Sequence, residues 1–125
     1  MTYRIHIDPE RRRIAVYLHG PVDEAVLRDA IQETWAHADY DPTFDGLLDL
    51  RHAVMRIAAS DVYGLVTMIR RSEQHLRGRF AFVSTHPFAT AMSMLYEYRS
   101  HAERQVGVFS SLEAAEAWLD AAAAA

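Results

Sequence analysis

Hydrophobic and polar positions alternate twice near the start of the chain. In "YRIHI", and again in "RIAVYLHG" through Ile14, Val16 and Leu18, every second side chain is apolar, and the polar "DPERR" between the two runs supplies a turn. Short alternating runs around such a turn predict a β-hairpin. Gly20 and Pro21 end its second strand, and Pro21 suits the first position of a helix, where its missing N–H costs nothing. Asp23 and Glu24 follow in the first turn, where the helix dipole favours acids. From Val22 the period changes: Val26 with Ala30, and Leu27, Ile31 and Trp35, recur at helical spacing. An amphipathic helix is expected to about His37, ended by "DYDPTFDG".

"LLDL" is a nearly continuous apolar run, which fits a central strand covered on both faces. After the polar loop from His52 to Ala59, Ser60 or Asp61 is placed to cap a second helix whose buried face is Val62, Leu65, Val66 and Ile69. Gly78 reads as the C-cap of that segment and "RFAFVS" as the next strand. A third helix starts near Pro87 and is expected to bury Phe88, Ala91, Met92 and Leu95. "RQVGVFS" supplies the last strand. Ser110 and Glu113 have the S-x-x-E spacing of a capping box, before a final helix with Leu112, Ala115, Trp118 and Leu119 on its apolar face.

The order is therefore ββαβαβαβα in one domain over residues 1–120, with the alanine run 121–125 expected to be disordered for want of an anchoring residue. Strands alternating with helices need crossover connections. The class is α/β: an open mixed sheet, mostly parallel, antiparallel only at the N-terminal hairpin, with helices on both faces. Ligands of such sheets usually bind where the strands end and the helices begin.

Charge and composition narrow the chemistry. The 125 residues carry 13 basic and 17 acidic side chains, a net charge of -4 that does not favour a polyanion. Two local basic runs exist, Arg11–Arg13 and the set Arg70, Arg71, Arg77, Arg79, but no aromatic array accompanies them, so nucleic acid is not an expected partner. The absence of cysteine removes disulfides, thiol catalysis and thiolate metal sites together. "MTYRIHIDPE" lacks the apolar core of a signal peptide, and no apolar run approaches spanning length. Stable membrane insertion is not expected, and a cytoplasmic location is.

The element order, with the segments "GLLDLRHA", "RFAFVSTHPFATAMSMLYE" and "VFSSLEAAEAWL", resembles the STAS-like family over nearly the whole chain. That family holds bacterial anti-sigma-factor antagonists and many uncharacterised relatives, and is related in shape to lipid-binding CRAL-TRIO domains. In its regulatory members an Asp-Ser-Ser-Gly-Leu type segment opens the second helix and is phosphorylated on a hydroxyl to control partner binding. The matching residues are Asp61, Val62, Tyr63, Gly64 and Leu65, which keep the acid and the Gly-Leu but not the acceptors. The resemblance thus implies partner binding without that phosphoswitch. Ser60, the nearest hydroxyl, reads as a helix cap and Tyr63 as a packing residue.

Candidate chemistry gathers at the carboxyl edge of the sheet. Arg51 and His52 follow the third strand, and Thr85 and His86 follow the fourth beside the N-terminus of the third helix, a set able to hold a carboxylate or phosphate. Asp49 alternates with Arg51 and is expected to pair with it, since burying a carboxylate alone is expensive. The seven histidines show no H-x-x-x-H spacing, and no serine sits in a G-x-S-x-G elbow, so neither a metal, a cofactor nor a catalytic constellation is expected. The third helix carries Met92, Met94, Tyr96 and Tyr98, more apolar surface than one stripe needs. Met94, Tyr96 and Tyr98 are therefore candidates for a partner or homodimer surface, or for the wall of an apolar pocket.

The expected function is a non-enzymatic STAS-like module that binds a protein partner and forms a homodimer. The alternative is a carrier or sensor of a small acidic or lipid-like ligand held between apolar helix residues and the Arg51/His52/His86 edge. An enzyme with a histidine acid-base group ranks third.

Overall fold

The computed structural model describes residues 2–100 and 105–124, with the side chains of the last helix as far as Ala121. The elements are β1 (Tyr3–Asp8), β2 (Arg13–Val22), α1 (Glu24–Ala36), β3 (Asp45–Met55), α2 (Ala59–Arg71), β4 (Phe80–Val83), α3 (Pro87–Ser100), β5 (Val106–Phe109) and α4 (Leu112–Ala124). This is the expected ββαβαβαβα order. All five strands form one sheet in the order β1-β2-β3-β4-β5, antiparallel between β1 and β2 and parallel elsewhere.

That order decides where the helices go. Each crossover, through α1, α2 and α3, steps to the next strand in the same direction, and right-handed crossovers in one direction lay their helices on one face. Leu18, Leu50 and Phe82 of that face pack with Leu27 of α1, Leu65 of α2 and Ala89 of α3. The period-2 alternation of the strands sends Ala15, Leu47, Ala81 and Val83 to the other face, where Ala115 and Leu119 of α4 cover them. A third cluster, Ile7, Ile14, Phe44 and Leu76, closes the end of the sheet where the parallel strands begin.

The element ends depart from the sequence reading at several points, each for a local reason. Pro21 remains in β2 opposite Val54, beyond Gly20 at φ +71°, and Asp23 caps α1 by accepting the Val26 N–H at 2.9 Å. Replacing Asp23 by alanine leaves that amide unsatisfied and is expected to cost about 1 kcal/mol, read as a lower urea midpoint at unchanged slope. At α2, Ala58 occupies the cap position and Asp61 sits in the first turn, its carboxylate accepting the Ala58 N–H at 2.8 Å; Ser60 lies within the helix. The cap of α4 is Ser111, accepting the Ala114 N–H at 3.1 Å, one residue beyond the expected Ser110. The alanine run enters the end of α4 rather than starting as coil, in keeping with alanine's helical propensity; Ala125 lies outside the described residues.

Helix α3 is rotated relative to the expected face. Its buried residues are Ala89, Ser93 and Ser100, whereas Phe88 is 49% exposed, Ala91 is exposed, and Met92 and Leu95 are only half-buried. The helix packs closely against α2 and β5, and small side chains permit that approach. The two buried hydroxyls need no outside partner: Ser93 Oγ donates to the Ala89 carbonyl at 2.8 Å and Ser100 Oγ to the Tyr96 carbonyl at 2.7 Å.

Candidate functional site

The polar edge is built around an irregularity in β3. Tyr17 of β2 pairs with Asp49, but two residues later His19 pairs with His52, so β3 carries one extra residue there. Such a bulge frees an amide from the ladder and re-aims its side chain. The freed amide is used within the bulge: Arg51 N–H donates to Asp49 Oδ1 at 3.0 Å. The Arg51 guanidinium then spans the carboxylate, with Nε 3.0 Å from Oδ1 and Nη2 2.7 Å from Oδ2.

Asp49 is only 2% exposed. Its burial alone would raise the carboxyl pKa, but the side-chain and backbone hydrogen bonds from Arg51, the Arg51 charge and, last, that of His52 outweigh it and hold the group below the usual carboxylate range. The pairing inferred from the i, i+2 alternation is thus present, and it commits one side of Arg51 to the fold.

The other edge candidates stand apart from this pair. His52 lies, exposed, on the length of β3 that runs past the end of β4 and pairs with β2 alone. Thr85 and His86 are exposed in the β4–α3 turn, whose geometry is set by buried Ser84: its hydroxyl accepts from His86 N–H at 3.4 Å and from Thr90 Oγ1 at 3.0 Å. Ligand crevices at the carboxyl edge of α/β sheets open where the strand order reverses, and the order β2-β3-β4-β5 has no reversal. Among the described residues, no hydrogen bond or ion pair joins Arg51 or His52 to Thr85 or His86, and no group of three His, Cys, Asp or Glu side chains comes together to hold a metal ion.

The structure opens a different site, of which the sequence pattern offered only one wall, the apolar surplus of the third helix. Between the sheet and helices α1, α2 and α3 lies a partly open cavity of about 150 Å³. It arises because α1 sits over β1 and β2 while α2 lies closer to α3 than to the sheet. Val16 and Leu48, in mid-strand on the two central strands, are consequently only half-buried. Arg28 reaches across from α1 to α2, with Nη1 3.1 Å from Met68 Sδ, while its other nitrogens pair with Glu24.

The walls are almost entirely apolar. Leu27, Ile31 and Trp35 come from α1, Leu50 and Phe82 from the sheet, Val62, Leu65 and Ile69 from α2, and Met92 and Tyr96 from α3. Three of the polar side chains lining it are turned onto the backbone: Thr34 Oγ1 donates to the Ala30 carbonyl at 2.7 Å, Ser93 to Ala89, and the Tyr40 hydroxyl to the Gln74 carbonyl. None of Arg51, His52, Thr85 and His86 lines this space.

Of the three residues expected at a partner surface, Met94 is 54% and Tyr98 71% exposed. Tyr96 points inward, its ring 5.3 Å from that of Phe82 and 6.1 Å from that of Phe80, and belongs to the cavity wall instead. A helix of 3.6-residue period cannot show residues 94, 96 and 98 on one side, so Tyr96 takes the pocket-wall place that was the alternative for it while Met94 and Tyr98 face solvent.

No protein-family model matches the chain, and no curated protein is similar to it. Among solved structures, an uncharacterised protein of the DUF3478 family from Shewanella loihica PV-4, described as having a SpoIIAA-like fold, superposes with a TM-score of 0.63 at 12% identity, over 94% of this chain and 93% of that one. The fold is therefore SpoIIAA-like, the fold of STAS domains. Among the described residues, no helix is long and apolar enough to cross a membrane.

Proposed function

We propose that this domain is a non-catalytic STAS-like module that holds a small, largely hydrocarbon ligand between its sheet and helices α1–α3. The observation that carries the reading is the apolar cavity of about 150 Å³. Apolar walls facing such a space lack packing partners on one side, and a bound hydrocarbon supplies those contacts. An apolar space of that size repels water and accepts a small hydrocarbon or aromatic molecule. With the hydroxyls of Thr34, Ser93 and Tyr40 already turned onto carbonyls, a polar head has little to bond inside the cavity and is best left at its opening.

The test is to close the space without disturbing the surface. Ala30 is 4% exposed and lines the cavity from α1, so Ala30→Leu adds three carbons into it. Benzene is expected to raise the Tm of the native protein and to lose that effect, with at least about a tenfold loss of affinity, in the filled variant. Native mass spectrometry of protein taken from cells should show a small adduct that Ala30→Leu lacks. Empty native protein together with no benzene response would sink the proposal.

A further inference from the structure

The five large hydrophobic side chains exposed among the described residues, Val54, Tyr63, Phe88, Met94 and Tyr98, all fall between the end of β3 and the end of α3. The same half of the chain is basic in an acidic protein. Between Arg56 and Arg99 there are six arginines against Asp61, Glu73 and Glu97, whereas the remainder has seven arginines against fourteen acids. Asp61 is moreover engaged at the start of α2.

Helical spacing places Phe88, Ala91, Met94, Leu95 and Tyr98 along one side of α3, the side opposite Ala89 and Ser93. Arg99 edges this stripe and lies over the Tyr63 ring of α2 at 3.9 Å, while Arg70 of α2 donates to the Arg99 carbonyl at 2.8 Å. The outer faces of the two helices therefore form one continuous surface, an apolar stripe about three turns long with arginines fixed along its margin.

We infer that this α2–α3 face docks an acidic amphipathic helix of another protein. An apolar stripe of this length is what a helix lays against a helical surface, and the arginine margin selects carboxylates on its flanks. A second copy of the chain fits less well. Pairing two such faces would oppose like charges, whereas an acidic partner of similar footprint meets the arginines with opposite ones. Gly64 distinguishes a helix from a lipid surface. It is exposed in mid-helix beside Tyr63, and nothing lies within 4 Å of where a Cβ would stand. Such a bare spot costs helix stability and suits the close approach of a partner's backbone, which a fluid lipid surface does not require. The inference does not depend on what occupies the cavity.

Two designed helical peptides of about 18 residues, sharing one leucine stripe but flanked by glutamate in one and lysine in the other, provide the test against the ¹⁵N-labelled full chain. The glutamate peptide is expected to shift amides within 59–71 and 87–99, and to bind at least about tenfold more tightly than the lysine peptide. Tyr98→Asp, and separately the double variant Arg70→Glu/Arg71→Glu, should abolish binding while the rest of the spectrum keeps its native dispersion. Equal binding of the two peptides, no binding of either, or shifts confined to other elements would overturn the inference. So would a dimer in sedimentation that Tyr98→Asp dissolves, which assigns the face to a second copy. Binding of phosphatidylglycerol vesicles in place of the peptide, lost in the double variant, would assign it to lipid.

Discussion

Replacing Gly78 by alanine is expected to destabilise the protein by about 3 kcal/mol, a fall in Tm of roughly 10–15 °C. A Cβ at this position would stand against the carbonyl oxygen of Phe44, 2.8 Å from its carbon and 2.7 Å from Asp45 Oδ1. The main obstacle is backbone, held where it is by its own bonds. Arg77 N–H donates to the Pro42 carbonyl at 2.6 Å, Arg79 N–H to Asp45 Oδ1 at 2.8 Å, and Gly46 N–H to the Arg79 carbonyl at 2.8 Å. The segment entering β4 is thus laid flush against the segment entering β3, and one added carbon separates them.

Because Gly46, Leu76 and Phe80 at this crossing also line the cavity, Gly78→Ala should weaken benzene binding as well as stability. The control is Gly64→Ala, where the new Cβ meets nothing. That change should instead stabilise by about 0.5–1 kcal/mol through ordinary helix propensity. Thermal unfolding of the two variants side by side checks both signs; a neutral Gly78→Ala would mean that the two segments are not in close contact.

The second large effect is expected at Asp49. Asp49→Asn keeps the shape of the side chain but removes the charge that the Arg51 guanidinium spans, and should cost about 2 kcal/mol near neutral pH. The figure is held below that for a fully buried pair because the Arg51 side chain keeps 32% of its exposure and can turn to water.

The pH dependence has a definite sign. The carboxyl of Asp49 is held below its ordinary range in the folded state, so the unfolded chain takes up the proton first as pH falls. The contribution of the pair is therefore complete above about pH 4–5, where the unfolded carboxyl is ionised, and is lost as pH drops through the lower, folded value. Urea titrations should show a constant gap between native and Asp49→Asn protein from pH 5 to 8 and a narrowing gap below pH 4. A gap that widened on acidification would refute the assignment of Asp49 as the stabilising anion.

These two residues also mark what kind of information the chain carries locally. The Asp49–Arg51 pair was legible because i and i+2 share a side of a strand, and a bulge that brings Arg51 N–H onto the same carboxylate only strengthens it. Gly78 was equally visible but for the wrong reason. It reads as a helix cap, yet α2 ends at Arg71 and the glycine serves a crossing with Phe44, a residue far away in sequence. The Arg51/His52/Thr85/His86 edge needed more than types and spacing. Whether four polar residues after two strands converge depends on strand order and on how far each strand runs, and β3 continues to Met55 while β4 stops at Val83.

Helix α3 and the cavity show the same division. The 3.6-residue period of α3 is satisfied by more than one apolar side, since Phe88, Ala91 and Leu95 form one candidate face and Ala89, Ser93 and Tyr96 another; the closeness of α2 and β5 selected the smaller set. The cavity is a difference between volumes contributed by α1, α2, α3 and the sheet, and no single segment carries a signal for a difference of that kind.

By itself, the sequence determined the identity and order of all nine elements, the parallel sheet with its one antiparallel hairpin, the likeness to STAS-like domains and the Asp49–Arg51 pairing. Alternation, helical period, turn residues and crossover length are properties of neighbours along the chain. Only the tertiary structure decided that three helices share one face, that α2 leans on α3 and leaves an apolar space beneath, which side of α3 meets solvent, and why residue 78 has no side chain. Each of those depends on distances between segments that the chain brings together only by folding.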